Sequence, residues 1–309
     1  MTTIFLTLLP VFIVILVGFG LRHLRVIGEP QWAGLDQLCY FVLFPAIIFK
    51  EIAAADFSGV QVFRMAGAMM LAAVLMIGLL VLLHRPLMKG LGMNGPQFTS
   101  LVQGAARWHT FIAFAIIPLL FGPQALSLGA VSAAAMTPLL NILCVIVMAR
   151  FAHETHVSAR ELFWSILRNP FVFSSLGGVA SKMSGLELPT MGLQALDMIG
   201  RGALGLALLT VGAGLRLGDA LSSVRPVAAA AALKLLAMPL LMAGTLTLMG
   251  VEGQAFAVAM LCAAVPTGSG AYVLARQMGG DAPMVANILT LQAIAAAVTI
   301  PLVLYLAVG

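Results

Sequence analysis

Apolar runs of roughly twenty residues, the length a helix needs to cross a hydrocarbon core, follow one another along nearly the whole chain. Short stretches rich in charge, proline and glycine separate them. Their positions predict ten helical spans, at residues 3–21, 32–49, 62–83, 98–121, 124–149, 169–181, 194–215, 226–249, 254–278 and 282–308. The one clearly hydrophilic gap, 150–168, holds His153, Glu154, His156, Arg160 and Glu161, with Phe163, Trp164 and Ile166 placed for a short helix lying at the interface.

Two spans break the pattern in their middle. Span four carries a polar run at 103–110 and then Pro118; span nine carries Pro266, Gly268 and Gly270 interleaved with Thr267 and Ser269. Proline removes a backbone donor and glycine loosens the turn beside it. Lipid supplies no replacement partner, so an opened helix persists only where protein buries it or where it lines a wet cavity. Broken helices of this kind hold the substrate in secondary carriers, although a proline kink with packing glycines would leave the same letters. The hydrophilic gap follows the fifth span and divides the chain into 1–149, a cytoplasmic linker 150–168, and 169–309. An odd number of spans in each half predicts two inverted five-helix repeats. Spans four and nine then correspond, and spans five and ten each set a threonine near a proline, Thr137-Pro138 and Thr299 with Pro301.

Composition agrees with an all-α integral membrane protein. Of 309 residues 61% are hydrophobic and 9% charged, with a mean hydropathy of +1.08, against roughly 25% charged in soluble domains. No room remains for a large soluble domain. The first run lacks the basic leader and cleavage site of a signal peptide, so it is expected to be a retained span. The net charge of +5 is spread between spans, which argues against nucleic acid as a partner. With the N-terminus outside, ten Lys/Arg residues (Arg22, Arg25, Arg85, Lys89, Arg150, Arg160, Arg168, Arg216, Arg225, Arg276) fall on cytoplasmic loops and four (Lys50, Arg64, Lys182, Arg201) on external ones. That asymmetry obeys the positive-inside rule and predicts a multi-pass protein of the cell inner membrane with both termini outside. Cys39, Cys144 and Cys262 lie within apolar runs and read as small buried hydrophobes.

Few residues inside the spans could carry chemistry. Arg107 sits within span four, and a buried charge costs about 2.5–3.5 kcal/mol or more unless it faces a cavity or partner. A guanidinium can hold a carboxylate through two parallel hydrogen bonds, which makes Arg107 the candidate anchor for an anion; the other reading is a positional role at a helix end. His109, the one histidine within a span, has an ordinary pKa near 6.5 suited to proton coupling, or it donates a hydrogen bond to a neighbouring helix. Thr110, Pro266, Thr267 and Ser269 flank the two breaks. Asn141, Asn287 and Gln292, on the helices that follow them, either complete a polar cavity or bond opened backbone groups. Lys234 in span eight pairs with substrate or with backbone carbonyls, and Asp281 is placed to cap span ten. Spans four and nine hold no carboxylate, so neither proton nor sodium is written there as the coupling ion. No metalloprotease, hydrolase or phosphate-loop motif is present, and His153 and His156 lack further metal ligands, so neither a cofactor nor a metal is expected. The protein reads as a carrier rather than an enzyme. The rivals are an intramembrane enzyme using His109 with Ser269, and a passive channel.

The run PTGSGAYVLARQMGGD (266–281) resembles the ninth-span motif of the auxin efflux carrier family, bacterial relatives of plant PIN transporters, and QGAARWHTF (103–111) is similar to its fourth-span pattern Q-G-x-x-R-F-N-T-Y. FPAIIF, the Asn169-Pro170 opening, GAGLRL and KLLAMPLL stand where the family has similar runs, so the resemblance covers essentially the whole chain. It implies a fold like that of bile-acid symporters and sodium–proton antiporters, with helices 4 and 9 unwound and crossing at mid-membrane. It further implies scaffold helices 1, 2, 6 and 7, moving transport helices 3–5 and 8–10, and elevator-type alternating access, with a homodimer formed through the scaffold. The implied cargo is a small organic anion such as malate, malonate or an auxin-like acid. By position, Arg107 and Thr110 fall on one side of the site and Pro266, Thr267 and Ser269 on the other. The chain departs from the pattern at His109, usually Asn, and at Gly270, often polar.

Overall fold

The structure, a computed structural model, describes residues 2–54, 60–152, 169–184, 189–215 and 224–308. All regular structure among them is helical: α1 Thr2–His23, α2 Glu29–Leu38, α3 Phe44–Ala54, α4 Val60–Leu82, α5 His84–Leu91, α6 Gly95–Ala106, α7 Thr110–Phe121, α8 Leu126–Phe151, α9 Pro170–Met183, α10 Thr190–Ala213, α11 Val224–Ala232, α12 Met238–Leu248, α13 Gly253–Ala264, α14 Gly270–Gln277 and α15 Ala282–Val308. Eight segments built from these are long and apolar enough to cross a membrane. The expected sixth span is the 14-residue α9, and the expected ninth is the split pair α13 and α14. The interfacial helix expected in the linker falls on 153–168, outside the described residues, as do Arg160, Arg168 and Arg216.

Helix ends follow local chemistry. Asn94 opens α6 with a capping box closed by Gln97, and Pro96 stands in its first turn, where a missing N–H costs nothing. Asn169 starts α9, its side-chain oxygen accepting from the amides of Phe171 at 2.9 Å and Val172 at 3.4 Å. Asp281 opens α15 by accepting from the amide of Met284 at 2.9 Å. Proline also shapes interiors. Pro45 and Pro239 each leave a carbonyl four residues back without its donor, and the helix widens by one residue just before each, as π-turns at Cys39–Leu43 and Leu233–Ala237. The amphipathic α5 was not expected; Leu83 ends α4 and the chain resumes at once as a short helix.

Close packing joins α1 to α10 and α3 to α9. A Cβ on Gly18 would stand 2.1 Å from the Leu209 carbonyl oxygen, and one on Gly212 would stand 1.8 Å from that of Ile15, so only glycine lets these backbones touch. Gly178 meets Ile52 in the same way, its ideal Cβ 2.9 Å from the Ile52 Cβ. This fixes the C-terminal end of α10 beside α1 and α2, where it forms one wall of the site. All three cysteines are buried and unpaired.

Candidate functional site

Both suspect stretches are breaks. After α6 the chain runs extended through Arg107 (φ −71°, ψ 155°) to His109 (φ −94°, ψ 90°), and α7 begins at Thr110. After α13 it leaves the helix at Val265 (φ −67°, ψ 150°) and resumes at Gly270. The second break has a local cause: Pro266 disfavours the helical region for the residue before it. The first has neither proline nor glycine at the break itself, and its cause is tertiary.

The two breaks touch. A Cβ on Gly268 would lie 2.8 Å from the Trp108 carbonyl oxygen, so glycine is required for this approach. The Thr267 hydroxyl donates to the Gly104 carbonyl at 2.8 Å and reaches that of Arg107 at 3.4 Å. From α15, Gln292 accepts from the Thr267 amide at 2.8 Å and donates to the carbonyls of Gly104 at 2.8 Å and Ala230 at 3.3 Å. Thr267 is 1% and Gln292 0% exposed, so these bonds replace partners that lipid could not supply. The N-termini of α7 and α14, by contrast, receive no side-chain cap; in α14 the amides of Ala271 and Tyr272 donate instead to the Gly268 and Ser269 carbonyls at 3.1 and 2.9 Å.

Arg107 donates through Nη2 to the Asn141 Oδ1 at 2.9 Å, while its Nη1 is buried without a partner among the described residues. Gly270 leaves it room, since a Cβ there would come within 3.3 Å of Nη2. Lys234 is fully buried in the second π-turn, and its Nζ has no hydrogen-bond partner among the described residues.

A cavity of about 240 Å³ lies beside the second break. Its walls are Pro266, Thr267, Ser269 and Tyr272, the α15 residues Ala286, Leu289 and Ala293, the end of α10 from Thr210 to Leu215, and one face of α2 bearing Glu29, Trp32 and Asp36. Arg22 stands at its edge, donating from Nε to Glu29 at 2.8 Å and from Nη1 to the Ala213 carbonyl. Of the residues expected at a site, His109, Pro266, Thr267 and Ser269 line this cavity. Arg107 and Asn141 lie behind the first break, bonded to each other. Thr110 opens α7, Asn287 is buried on α15, and Gln292 is the brace described above. Asp36 and Trp32 were missed. The signal was available: a carboxylate and an indole four residues apart near the start of an apolar run, the same argument that singled out Arg107. From the sequence Arg22 reads as a loop charge alone.

The residues described hold no cluster of metal-ligating side chains. A family model described as "Membrane transport protein" matches residues 3–304. The chain is also 24% identical over 298 residues, 96% of each sequence, to an uncharacterized transporter of Methanothermobacter thermautotrophicus.

Proposed function

The chain belongs to the membrane transport protein family, the auxin efflux carrier family its motifs resemble, and from that premise we propose that it is a secondary carrier of small organic anions working by alternating access. The observation that carries this reading is the meeting of two broken helices whose inner N-termini are uncapped, beside a cavity lined by His109, Thr267 and Ser269. A helix N-terminus without a side-chain cap presents the positive end of the dipole, which favours an anion. An anion at the N-terminus of α14 would lie near Arg107, because Gly270 puts no side chain between them. Arg107 then anchors the carboxylate, with Thr110 and Asn141 on its flank and Asn287 and Gln292 supporting the breaks.

In this reading α9 and the split pair α13 and α14 complete ten crossings, arranged as inverted halves at 1–149 and 169–309. Spans 1, 2, 6 and 7 form the scaffold and the remaining spans the moving unit of an elevator. The glycine-mediated contacts of α1 with α10 and of α3 with α9 support a rigid scaffold. With both termini outside, the ends of α1 and α10 that frame the cavity are cytoplasmic, so the arrangement is open to the inside of the cell. Homodimerisation through the scaffold and placement in the inner membrane follow the same reading.

The test is uptake of labelled malate or malonate by reconstituted vesicles. Saturable uptake of chemically unchanged label supports the carrier. Altered label identifies the enzyme that would use His109 with Ser269, and non-saturating flux identifies a channel. Arg107→Ala should abolish uptake while leaving the thermal melting profile in place; normal uptake by that variant removes Arg107 from the site.

A further inference from the structure

The cavity proposed to receive an anion carries a carboxylate of its own. Asp36 lies on the α2 face that also presents Glu29 and Trp32 to the cavity, and no Lys, Arg or His nitrogen among the described residues comes within ion-pair distance of it. Arg22, the guanidinium on the same wall, is occupied by Glu29 and by the Ala213 carbonyl. The other groups facing Asp36 are neutral or weakly basic: the Cys39 thiol on its own helix, the Thr210 hydroxyl from α10, and, across the cavity, His109 and Tyr272. Two like charges in so small a volume repel, and neutralising Asp36 removes that repulsion.

The Thr210 hydroxyl on the same wall donates to the Ala207 carbonyl at 2.9 Å, so its single hydrogen is not available to hold the Asp36 carboxylate in its charged form.

We propose that Asp36 takes up one proton from water whenever an organic anion occupies this cavity, so that anion and proton bind and travel together. The proposal rests on the carrier reading above and gives that carrier its coupling ion. Purified protein is titrated with malate by calorimetry between about pH 6 and 8, above the ordinary carboxyl range. Linked uptake of one proton makes wild-type affinity fall toward about tenfold per pH unit in the upper part of the range. Asp36→Asn should bind malate with no pH dependence, and His109→Gln should keep the wild-type slope. A wild-type slope in Asp36→Asn overturns the proposal, as does a flat profile in His109→Gln, which would move the proton to the imidazole. Sodium dependence at fixed pH without proton uptake overturns it as well. If Asp36→Asn does not fold, wild-type titrations in buffers of different ionisation enthalpy count the protons directly: about one per anion supports the proposal and none overturns it. Failure of wild-type protein to bind malate, malonate or any other carboxylate at every pH is a different result, and it removes the organic-anion reading itself.

Discussion

The two helix breaks stand at corresponding places in the chain, yet they are made in different ways. The second is written into its own residues: Pro266 drives Val265 out of the helix, and Gly268 allows the chain to pass close to its neighbour. The first, at residues 107–109, contains Arg, Trp and His, none of which breaks a helix by itself. It stays open because Thr267 and Gln292 bond carbonyls that its helix would otherwise have to satisfy. One break is local and the other is imposed by it, so damage to the second should propagate to the first while the reverse effect is weaker. In the carrier reading proposed above, both breaks belong to the moving unit.

Gln292→Leu tests this most severely. It strips partners from the Thr267 amide and from the Gly104 and Ala230 carbonyls in a fully buried setting. An unsatisfied buried group costs about 1–3 kcal/mol, and Gly104 keeps Thr267, so a loss of about 3 kcal/mol is expected, read as a lower melting temperature in detergent together with loss of uptake. Unchanged stability would mean that the first break does not depend on this brace. Gly268→Ala comes next. A Cβ 2.8 Å from the Trp108 oxygen forces the breaks apart, at about 2 kcal/mol for overpacking, and uptake should fall more than stability does. Thr267→Val keeps the shape and removes only the hydroxyl bonds, costing about 1.5 kcal/mol; a melting temperature equal to wild type would assign the crossing to Gln292 alone.

The sequence made some of this visible and hid the rest for identifiable reasons. Apolar runs, Asn–Pro openings and the proline–glycine cluster act over a few residues, so most helices and the second break could be placed from them. The first break shows in the sequence only as a polar run at 103–110 with the cost of burying Arg107; the partners that hold it open come from 160 to 188 residues away. Asp36 is inconspicuous in the sequence because the apolar run of span two opens only at Trp32. With the helix opening at Glu29, Asp36 stands two turns inside, where a carboxylate demands an explanation. The π-turns follow from Pro45 and Pro239, but a widened turn leaves no mark on hydrophobic spacing. The Arg107–Asn141 pair joins two helices whose relative rotation no pattern along the chain specifies.

The smallest expected effect separates the helix ends at the breaks from capped ends elsewhere. Helices α6, α9 and α15 start at Asn94, Asn169 and Asp281, each of which caps its own first turn, whereas α7 and α14 start without a side-chain cap beside the cavity, as do α2, α10 and α13. If the helix ends at the breaks serve the cargo, removing a cap elsewhere should cost stability and nothing else. Asp281→Ala loses the bond to the Met284 amide, worth about 1 kcal/mol, and should lower the melting temperature modestly while leaving the malate affinity of the folded protein at the wild-type value. Calorimetry well below the melting point reads the two apart. A fall in affinity matching that of Arg107→Ala would mean that this cap also sets the geometry of the breaks, since the Asp281 backbone bonds the Ser100 hydroxyl of α6, and the distinction between capped ends and the ends at the breaks would no longer locate the anion.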